Sequence, residues 1–365
     1  MTKIAFVGDL CLSGVKSLSY EQAQQHFAAI AAMFEPYELA IGNLECILSK
    51  TAFPGVKMNI PISQCPPLSS LGLDIYCMAN NHIKDCGAEP IIEMQQFISD
   101  AGAHYVGAGK DKKQAYTPLV LRVRDITFGI LNVTDASHYA ATDNEAGVAA
   151  LDEKQLQQAV MQLAEQVDAV ILVIHSDLEF SNYPSLWRVN LSRKLAKYCA
   201  MIVHHHSHTL QGYEVVEGCV IAYSLGNFIF PVKESQYMQN KPGNIDEGML
   251  MVASFVKQGT TVTASIDSLQ PTRIGQFGFL RAVSDEECQK TLADIEKYSL
   301  ALNDKAFLRT HHWRLCYAEF KRFLKGIYYT YCRDGFKASL RYISLHFKTD
   351  QHLNWFRSLI TLGYK

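Results

Sequence analysis

The sequence lacks an excess of charge of either sign. Its 365 residues include 34 Lys and Arg and 36 Asp and Glu, so the formal net charge is −2. Proteins that bind nucleic acid generally carry a basic surface that neutralises phosphates. We therefore expect no nucleic-acid partner. With 48% hydrophobic and 19% charged residues, the composition is that of a globular protein with one large domain and an appendage.

The sequence also lacks a cysteine framework and long apolar runs. None of its ten cysteines forms a CxxC pair, and scattered cysteines are typical of a reducing compartment. No stretch of about 18 apolar residues predicts a membrane-spanning helix. The first residues pass directly into a strand pattern, without the features of a signal peptide. We therefore expect a cytoplasmic protein.

Short apolar runs alternate with amphipathic segments, and hairpins follow late in the chain. Strands are predicted at residues 3–10, 39–45, 74–79, 104–106, 119–123, 126–134, 169–174, 200–203, 213–216, 220–230, 249–256 and 261–266. Helices are predicted at residues 20–34, 88–101, 152–166 and 186–199. This order predicts an α/β domain with mixed sheets.

Four histidines lie within five positions directly after the strand predicted at residues 200–203. Open α/β sheets place their chemistry at the carboxyl ends of strands, and imidazole is the commonest nitrogen ligand for transition metals. A histidine-rich surface loop is the alternative interpretation. Other strand ends argue against it, because they also carry ligand-type side chains. These are Asp9, Asn43, Glu45, Asn81, His82 and His175.

Carboxylate, amide oxygen and imidazole together suit a divalent metal such as Mn, Fe or Zn. Each residue alone has a structural explanation: Asp9 could cap a turn, and His175 could be a hydrogen-bonded core histidine. Buried charges need partners, however, and a shared metal would supply one. We expect one or two ions, which would lower the pKa of a bound water. His82, beside the predicted ligand Asn81, is the candidate proton donor to a leaving group.

The composition changes after residue 278. Helices are predicted at residues 286–302 and 313–324, and residues 321–342 mix Lys and Arg with Phe and Tyr. We therefore divide the chain into residues 1–278 and a helical region at 279–365. Two interpretations of that region stay open. Its basic residues are solvated on a docked helix pair, or they contact a membrane surface, an anionic polymer or a synthase complex.

Several ordered motifs carry a family resemblance. They are Gly8-Asp9, Asn43-Leu44-Glu45, Ala79-Asn80-Asn81-His82 with Asp85-Cys86-Gly87, Gly107-Ala108-Gly109, the histidine-rich segment His204–Gly212, and Tyr223–Phe228. Over residues 3–231 the chain resembles the CapA family of capsule and poly-γ-glutamate synthesis proteins. That family is similar to the calcineurin-like metallophosphoesterases.

The resemblance implies a four-layer αββα sandwich with two mixed β-sheets, followed by the C-terminal helical appendage. It implies a metal site with a bridging residue, either Glu45 or Asn43. The implied metal ligands are Asp9, Asn43, Glu45, Asn81, His175, His206 and His208. The implied catalytic residues are His82, His205 and Glu179.

The chain departs from the related patterns at four places, one of which is His204 in place of the glycine before the histidine cluster. Cys11 stands where the phosphoesterase motif Asp-x-His has an imidazole, and Asn43 stands where that superfamily has an aspartate. The segment His175-Ser176-Asp177-Leu178-Glu179 stands where CapA proteins usually have His-Trp-Gly-x-Glu. These departures leave open whether one or two metals bind.

Two functions follow from the resemblance. The first is a metal-dependent hydrolase linked to capsule or poly-γ-glutamate-like polymer biosynthesis, acting on a phosphoester or an amide. The second is a non-catalytic accessory protein that binds the polymer during assembly or export. The expected partner is an anionic polymer or phosphoester substrate. Peripheral contact with a membrane or synthase complex through residues 279–365 is a further expectation.

Overall fold

A computed structural model describes residues 1–239, 241, 243–347 and 350–361 of the chain. The strands are β1 (Thr2–Leu10), β2 (Leu39–Leu44), β3 (Ile47–Ser49), β4 (Asn59–Pro61), β5 (Ile75–Cys77), β6 (His104–Val106), β7 (Ala108–Gly109), β8 (Leu119–Val123), β9 (Ile126–Thr134), β10 (Gly147–Val148), β11 (Ala169–His175), β12 (Met201–His205), β13 (Tyr213–Val216), β14 (Cys219–Ala222), β15 (Asn227–Ile229), β16 (Glu247–Gln258), β17 (Thr261–Ile274) and β18 (Leu280–Arg281). The α-helices are α1 (Tyr20–Phe34), α2 (Glu89–Asp100), α3 (Lys112–Ala115), α4 (Glu153–Ala164), α5 (Leu186–Leu195), α6 (Gln236–Gln239), α7 (Asp285–Ala301), α8 (Lys305–Asp334), α9 (Phe336–His346) and α10 (Asp350–Ile360).

Two large mixed sheets form the centre of the molecule. The first has the strand order β18-β17-β16-β1-β2-β5-β6, and β15 also pairs with β1. The second has the order β13-β14-β12-β11-β9-β8. Each sheet combines parallel and antiparallel pairs: β1 runs parallel to β2 and antiparallel to β16, and β11 runs parallel to β9, which is antiparallel to β8. Two small two-stranded sheets, β3-β4 and β7-β10, lie beside them.

The side chains of β1 show how the layers stack. Ile4 and Phe6 pack into the apolar core between the two sheets, whereas Ala5 and Val7 pack into the core on the opposite face, because side chains alternate along a strand. Helices α1 and α2 cover that opposite face, and α4 and α5 cover the outer face of the second sheet. The expected four-layer αββα arrangement with two mixed sheets is confirmed.

One strand prediction is wrong in a way that matters for the site. Residues 220–230 are predicted as one strand, but they form two strands in different sheets. β14 pairs with β12 in the second sheet, whereas β15 pairs with β1 in the first. The chain crosses between the sheets at Gly226, which has a positive φ of 67°. A glycine adopts this conformation without the steric cost that a Cβ would add.

The C-terminal region is helical, as expected, but α8 is far longer than the helix predicted at residues 313–324. Helix α7 contributes Ile295 to the core between the sheets, and α8 contributes Leu308 to the core beside α4 and α5. Within the part of the chain that the structure describes, no helix is both long and apolar enough to cross a membrane. The domain boundary between residues 278 and 279 stays a prediction.

Candidate metal centre

The carboxyl ends of four strands meet at one edge of the sandwich. Asp9 on β1 pairs in register with Asn43 on β2, and His175 on β11 pairs with His205 on β12. Parallel neighbours end at the same edge, so their last side chains converge. All four side chains are buried. Two strands of each sheet therefore supply the same buried polar cluster.

Glu45 lies at the centre of this cluster. Its carboxylate is fully buried, and neither oxygen has a hydrogen-bond partner among the described residues. Its Oε1 lies 3.6 Å from His208 Nε2, 3.7 Å from His175 Nε2 and 3.9 Å from His82 Nε2. Burial, followed by the charges of nearby acids, raises the pKa of Glu45 well above its ordinary value. A buried carboxylate without partners is costly unless a cation neutralises it.

The donor atoms fall into two groups that could each hold a metal ion. One group consists of Glu45, His206 and His208, and the other of Asp9, Glu45 and His175, with ligand atoms within 4.8 Å of one another in each. Ligands placed tetrahedrally about 2.0–2.2 Å from an ion lie roughly 3.4 Å apart, close to the distances around Glu45. Because both groups share Glu45, the residues fit one or two divalent ions, and Glu45 would be a ligand common to both groups.

The imidazoles of the cluster are suited to act as ligands. His208 Nδ1 donates to Asn227 Oδ1 at 2.9 Å, which leaves Nε2 as the nitrogen that faces Glu45. This arrangement is typical of metal-binding histidines, whose second nitrogen is held by a carbonyl or carboxylate. Burial lowers the pKa of His206 to about 4, and burial with the other imidazoles lowers the pKa of His175 well below its ordinary value. Neutral imidazole is the form that binds metal.

Asp9 is held from several sides. Asn43 Nδ2 donates to its Oδ1 at 2.8 Å, and His205 Nδ1 lies 3.0 Å from the same oxygen. Burial opposes ionisation of Asp9, but His205, His208 and Asn43 outweigh it, so its pKa is lowered. Asn43 also contacts His175 Nδ1 at 3.2 Å through its amide nitrogen. Asn43 thus orients two other predicted ligands, and its own role as a ligand stays a prediction.

The loop that follows β5 carries Asn81 and His82. Asn81 Oδ1 lies 2.9 Å from His175 Nε2, which places the amide oxygen within the cluster. His82 Nδ1 lies 2.7 Å from Asp85 Oδ2, and the His82 ring is partly exposed. Burial disfavours the charged ring, but the hydrogen bond and charge of Asp85 outweigh it and raise the pKa of His82. Asp85 has no assigned role in the sequence-based prediction, although it lies in the same motif.

Glu179 lies beside the cluster, in the loop after β11. Its Oε2 accepts a hydrogen bond from the Tyr237 hydroxyl at 2.9 Å. Burial opposes its ionisation, but the imidazoles of His206 and His208 outweigh it and lower the pKa of Glu179. Glu179 also lines a small cavity of about 50 Å³ whose opposite wall is formed by the C-terminal helices. The cavity is lined by Leu178, Glu179, Phe180, Tyr237, Lys241, Leu315, Ala318, Glu319, Arg322 and Trp355.

Side chains alternate along β12, so His204 and His205 point to opposite faces of the second sheet. His205 points toward Asp9, whereas His204 points to the other face of the second sheet, where its Nε2 lies 2.7 Å from Ser192 Oγ and its ring stacks on Tyr223. His204 is therefore a buried core histidine outside both candidate metal groups. The period of two along a strand predicts this division once the strand is known to continue to His205.

Arg188 is a site residue that the sequence-based prediction missed. The guanidinium is fully buried on α5 and donates to four oxygens: the carbonyls of Ser176, of His205 at 2.6 Å and of Tyr223 at 3.0 Å, and the side-chain oxygen of Gln211 at 3.2 Å. The three carbonyls lie at or next to the ends of β11, β12 and β14, and Gln211 lies just before β13. Arg188 thus joins the strand ends that present the histidines. An isolated arginine in a helical pattern gives no signal of this role.

The backbone of the site is strained at two predicted ligands. His206 has a φ of 91° and His208 a φ of 54°, a region that side chains with a Cβ adopt at a cost. The Gly8-Asp9 motif needs a glycine because its backbone lies close to that of Gly226. A Cβ at Gly8 would lie 2.0 Å from the carbonyl oxygen of Gly226. The Asp9 amide donates to that same oxygen at 2.9 Å. The His206 amide donates to Asp9 Oδ2 at 3.3 Å and the His208 ring contacts Asn227 Oδ1 at 2.9 Å, so hydrogen bonds help to hold both histidines in place.

The segment that builds this site matches a known family. Residues 3–232 match the family model described as bacterial capsule synthesis protein PGA_cap. The chain belongs to this family. The resemblance to CapA proteins drawn from the motifs is thereby confirmed. All the residues of the two candidate metal groups lie within the matched segment, whereas α7 to α10 lie outside it.

Two relatives illustrate the match. The chain is 28% identical over 241 residues to the PGA biosynthesis protein CapA of Bacillus subtilis, covering 62% of each chain. It is 31% identical over 166 residues to the capsule biosynthesis protein CapA of Bacillus anthracis, covering 44% of this chain and 40% of the relative. The chain thus spans less than two thirds of the length of either relative. Among solved structures, it is similar to the calcineurin-like phosphoesterase YfkN of Bacillus subtilis, with a TM-score of 0.47, 12% identity, and coverage of 84% of this chain and 98% of the other.

Proposed function

We propose that the chain is a metal-dependent hydrolase of a capsule-type or poly-γ-glutamate-like anionic polymer pathway, acting on a phosphoester or an amide. The observation that carries this proposal is the buried Glu45 carboxylate, which has no hydrogen-bond partner among the described residues and lies between two groups of ligand-type side chains. Such an arrangement is stable when a cation occupies it. We place the reaction in the cytoplasm, as the cysteine pattern suggests.

The residues that would hold the metal are Asp9, Glu45, His175, His206 and His208, with Asn43 and Asn81 as neighbouring amides. Divalent ions bound there would acidify a bound water and stabilise negative charge on a phosphoryl or carbonyl oxygen. Mn, Fe and Zn all suit this mixed set of oxygen and nitrogen donors.

His82 would hold the proton that the leaving group needs. Asp85 engages Nδ1, so Nε2 is the nitrogen directed to the cluster, 3.9 Å from Glu45 Oε1. The raised pKa of His82 favours its protonated form, and its partly exposed ring gives it access to a substrate. His205 would act through Asp9, which it orients, and Glu179 would contact the substrate from the adjoining cavity.

A non-catalytic accessory role is the second candidate, because two ligand positions of the related phosphoesterases are changed. Cys11 has its sulfur 3.2 Å from Ser13 Oγ and belongs to neither candidate metal group. Asn43 uses its amide nitrogen to orient Asp9 and His175. In this role the site would bind an anionic polymer without hydrolysing it.

Elemental analysis of the untagged protein beside the double variant His206→Ala/His208→Ala tests the proposal. We expect about two equivalents of Mn, Fe or Zn per chain, lost in the variant, and metal-dependent turnover of a generic phosphodiester. The matched control is His104→Ala/His138→Ala, which removes two exposed histidines and leaves the metal content unchanged. Metal without turnover of phosphodiester or amide substrates would favour the accessory role. No metal after reconstitution would contradict both the site and the hydrolase.

A further inference from the structure

The end of α8 carries a continuous exposed stripe of large side chains. Tyr317, Lys321, Leu324, Tyr328 and Tyr331 follow one another at spacings of four and three residues, which places them on one face of the helix. The exposed fraction is 48% for Leu324, 65% for Tyr328 and 55% for Tyr331. Exposed aromatic clusters of this kind mark interaction surfaces in globular proteins.

Helix α9 also carries exposed apolar side chains. Phe336 is 66% exposed and Leu340 is 49% exposed, one turn apart on the helix. The opposite side of α9 packs on α8, where the Tyr342 ring lies 6.0 Å from the ring of Phe323. The two helices therefore bury one side against each other and leave apolar side chains on the other. We call the exposed side chains of residues 317–341 the aromatic face.

The aromatic face is basic. Residues 317–341 contain six Lys and Arg but only two acids. Both acids are paired with neighbouring arginines, Glu319 with Arg322 and Asp334 with Arg333. Four cations remain that form no ion pair with a described residue: Lys321, Lys325, Lys337 and Arg341. Lys321 instead lies over the ring of Tyr317, with Nζ 4.5 Å from the ring centroid.

Tyrosine mixed with lysine and arginine is the composition of segments that lie in the membrane–water interface. Aromatic rings insert at headgroup depth, while basic side chains attract anionic lipids. A dissolved anionic polymer would use the cations but leave the aromatic rings exposed. A second copy of the chain would have to bring unpaired lysines of like charge together, since the same face would meet itself. The charge and the exposed rings together favour an anionic lipid surface.

We propose that the aromatic face docks the protein on the surface of an anionic membrane, without crossing it. Helix α8 also contributes Glu319 and Arg322 to the cavity beside the candidate metal centre. Docking through α8 would therefore hold that cavity near the lipid surface. The proposal does not depend on hydrolase activity, because lipid binding is measured without turnover.

Co-sedimentation of the full-length protein with vesicles tests this proposal. We expect binding to vesicles of phosphatidylcholine mixed equally with phosphatidylglycerol, and little binding to phosphatidylcholine alone. Binding weakens in high NaCl, because salt screens the attraction. The variant Lys321→Glu/Lys325→Glu lowers the affinity on the order of tenfold or more. Tyr328→Ala/Tyr331→Ala lowers it at unchanged net charge, because the rings no longer insert.

Two controls separate docking from general charge and from unfolding. Lys112→Glu/Lys113→Glu makes the same change in net charge on α3, and Tyr20→Ala removes an exposed ring on α1. Both should bind vesicles as the parent does, and all variants should keep the parent circular dichroism spectrum. Equal loss in variants and controls would overturn the proposal, as would equal binding to both kinds of vesicle. A dimer lost in the Tyr328→Ala/Tyr331→Ala variant, without vesicle binding, would assign the face to a second copy of the chain.

Discussion

The strand ends and the C-terminal helices place their polar side chains in opposite surroundings. At the strand ends, Asp9 and Glu45 are fully buried, as is Arg188 on α5, which donates to carbonyls there. On α8, by contrast, aromatic rings such as Tyr328 face outward beside unpaired lysines. Burying charge is costly unless it is compensated, so the first region requires a bound cation or a dense hydrogen-bond network. The second has no such requirement and leaves its surface available for contact with a partner.

Replacing Glu45, the carboxylate shared by the two candidate metal groups, should have the largest effect, on metal content and on turnover. This change tests the contrast between the two regions. We expect Glu45→Gln to lose most of the bound metal. Changing a residue that only orients a metal ligand lowers activity roughly 10–100-fold, and we expect the rate of hydrolysis to fall by more than that in Glu45→Gln. Metal analysis and turnover of a phosphodiester measure both effects. In the chelated protein at neutral pH the same variant should be more stable than the parent, because Gln removes the cost of burying an acid whose pKa is raised in the folded state.

The matched control for this experiment is Glu319→Gln, which changes a carboxylate on the cavity wall formed by α8. It should keep the parent metal content. If Glu45→Gln also kept its metal, Glu45 would not be the bridging residue.

Replacing the buried Arg188 should have the next largest effect, on the free energy of unfolding. We expect Arg188→Met to lower the free energy of unfolding by about 3–5 kcal/mol, because oxygens at three strand ends lose a buried charged donor. Arg322→Met, on the half-exposed surface of α8, should cost under about 1 kcal/mol. Denaturant unfolding measures both values. Similar losses for the two variants would mean that Arg188 does not join the strand ends.

Removing single hydroxyl groups should give the smallest effect. The Tyr223 hydroxyl donates to Glu214 Oε1 at 2.7 Å from a buried ring. We expect Tyr223→Phe to lower the free energy of unfolding by about 1 kcal/mol, because this hydrogen bond is lost. Tyr328→Phe, on the aromatic face, should change it by less than about 0.5 kcal/mol. A larger loss for Tyr328→Phe would indicate that the aromatic face is packed rather than exposed.

Much of the site could be predicted from the sequence, because its residues follow apolar strand patterns directly. Asp9, Asn43 and His175 each end such a run, and the structure brings them together at one edge. The position of His204 on the other face could be predicted less readily, because it depends on how far the strand continues. The roles of Asp85 and Asn227 could not be predicted, because they depend on where the rings of His82 and His208 lie in the folded protein.

The sequence by itself determined most of the longer strands, the order of the motifs and the ligand-type residues at several strand ends, because the period of apolar residues is a local property. Only the tertiary structure decided which strands are neighbours, how residues 220–230 divide between two sheets, and which oxygens Arg188 joins. These features depend on pairing between segments far apart in the chain. Such pairing follows from the packing of the whole core, which no local pattern specifies.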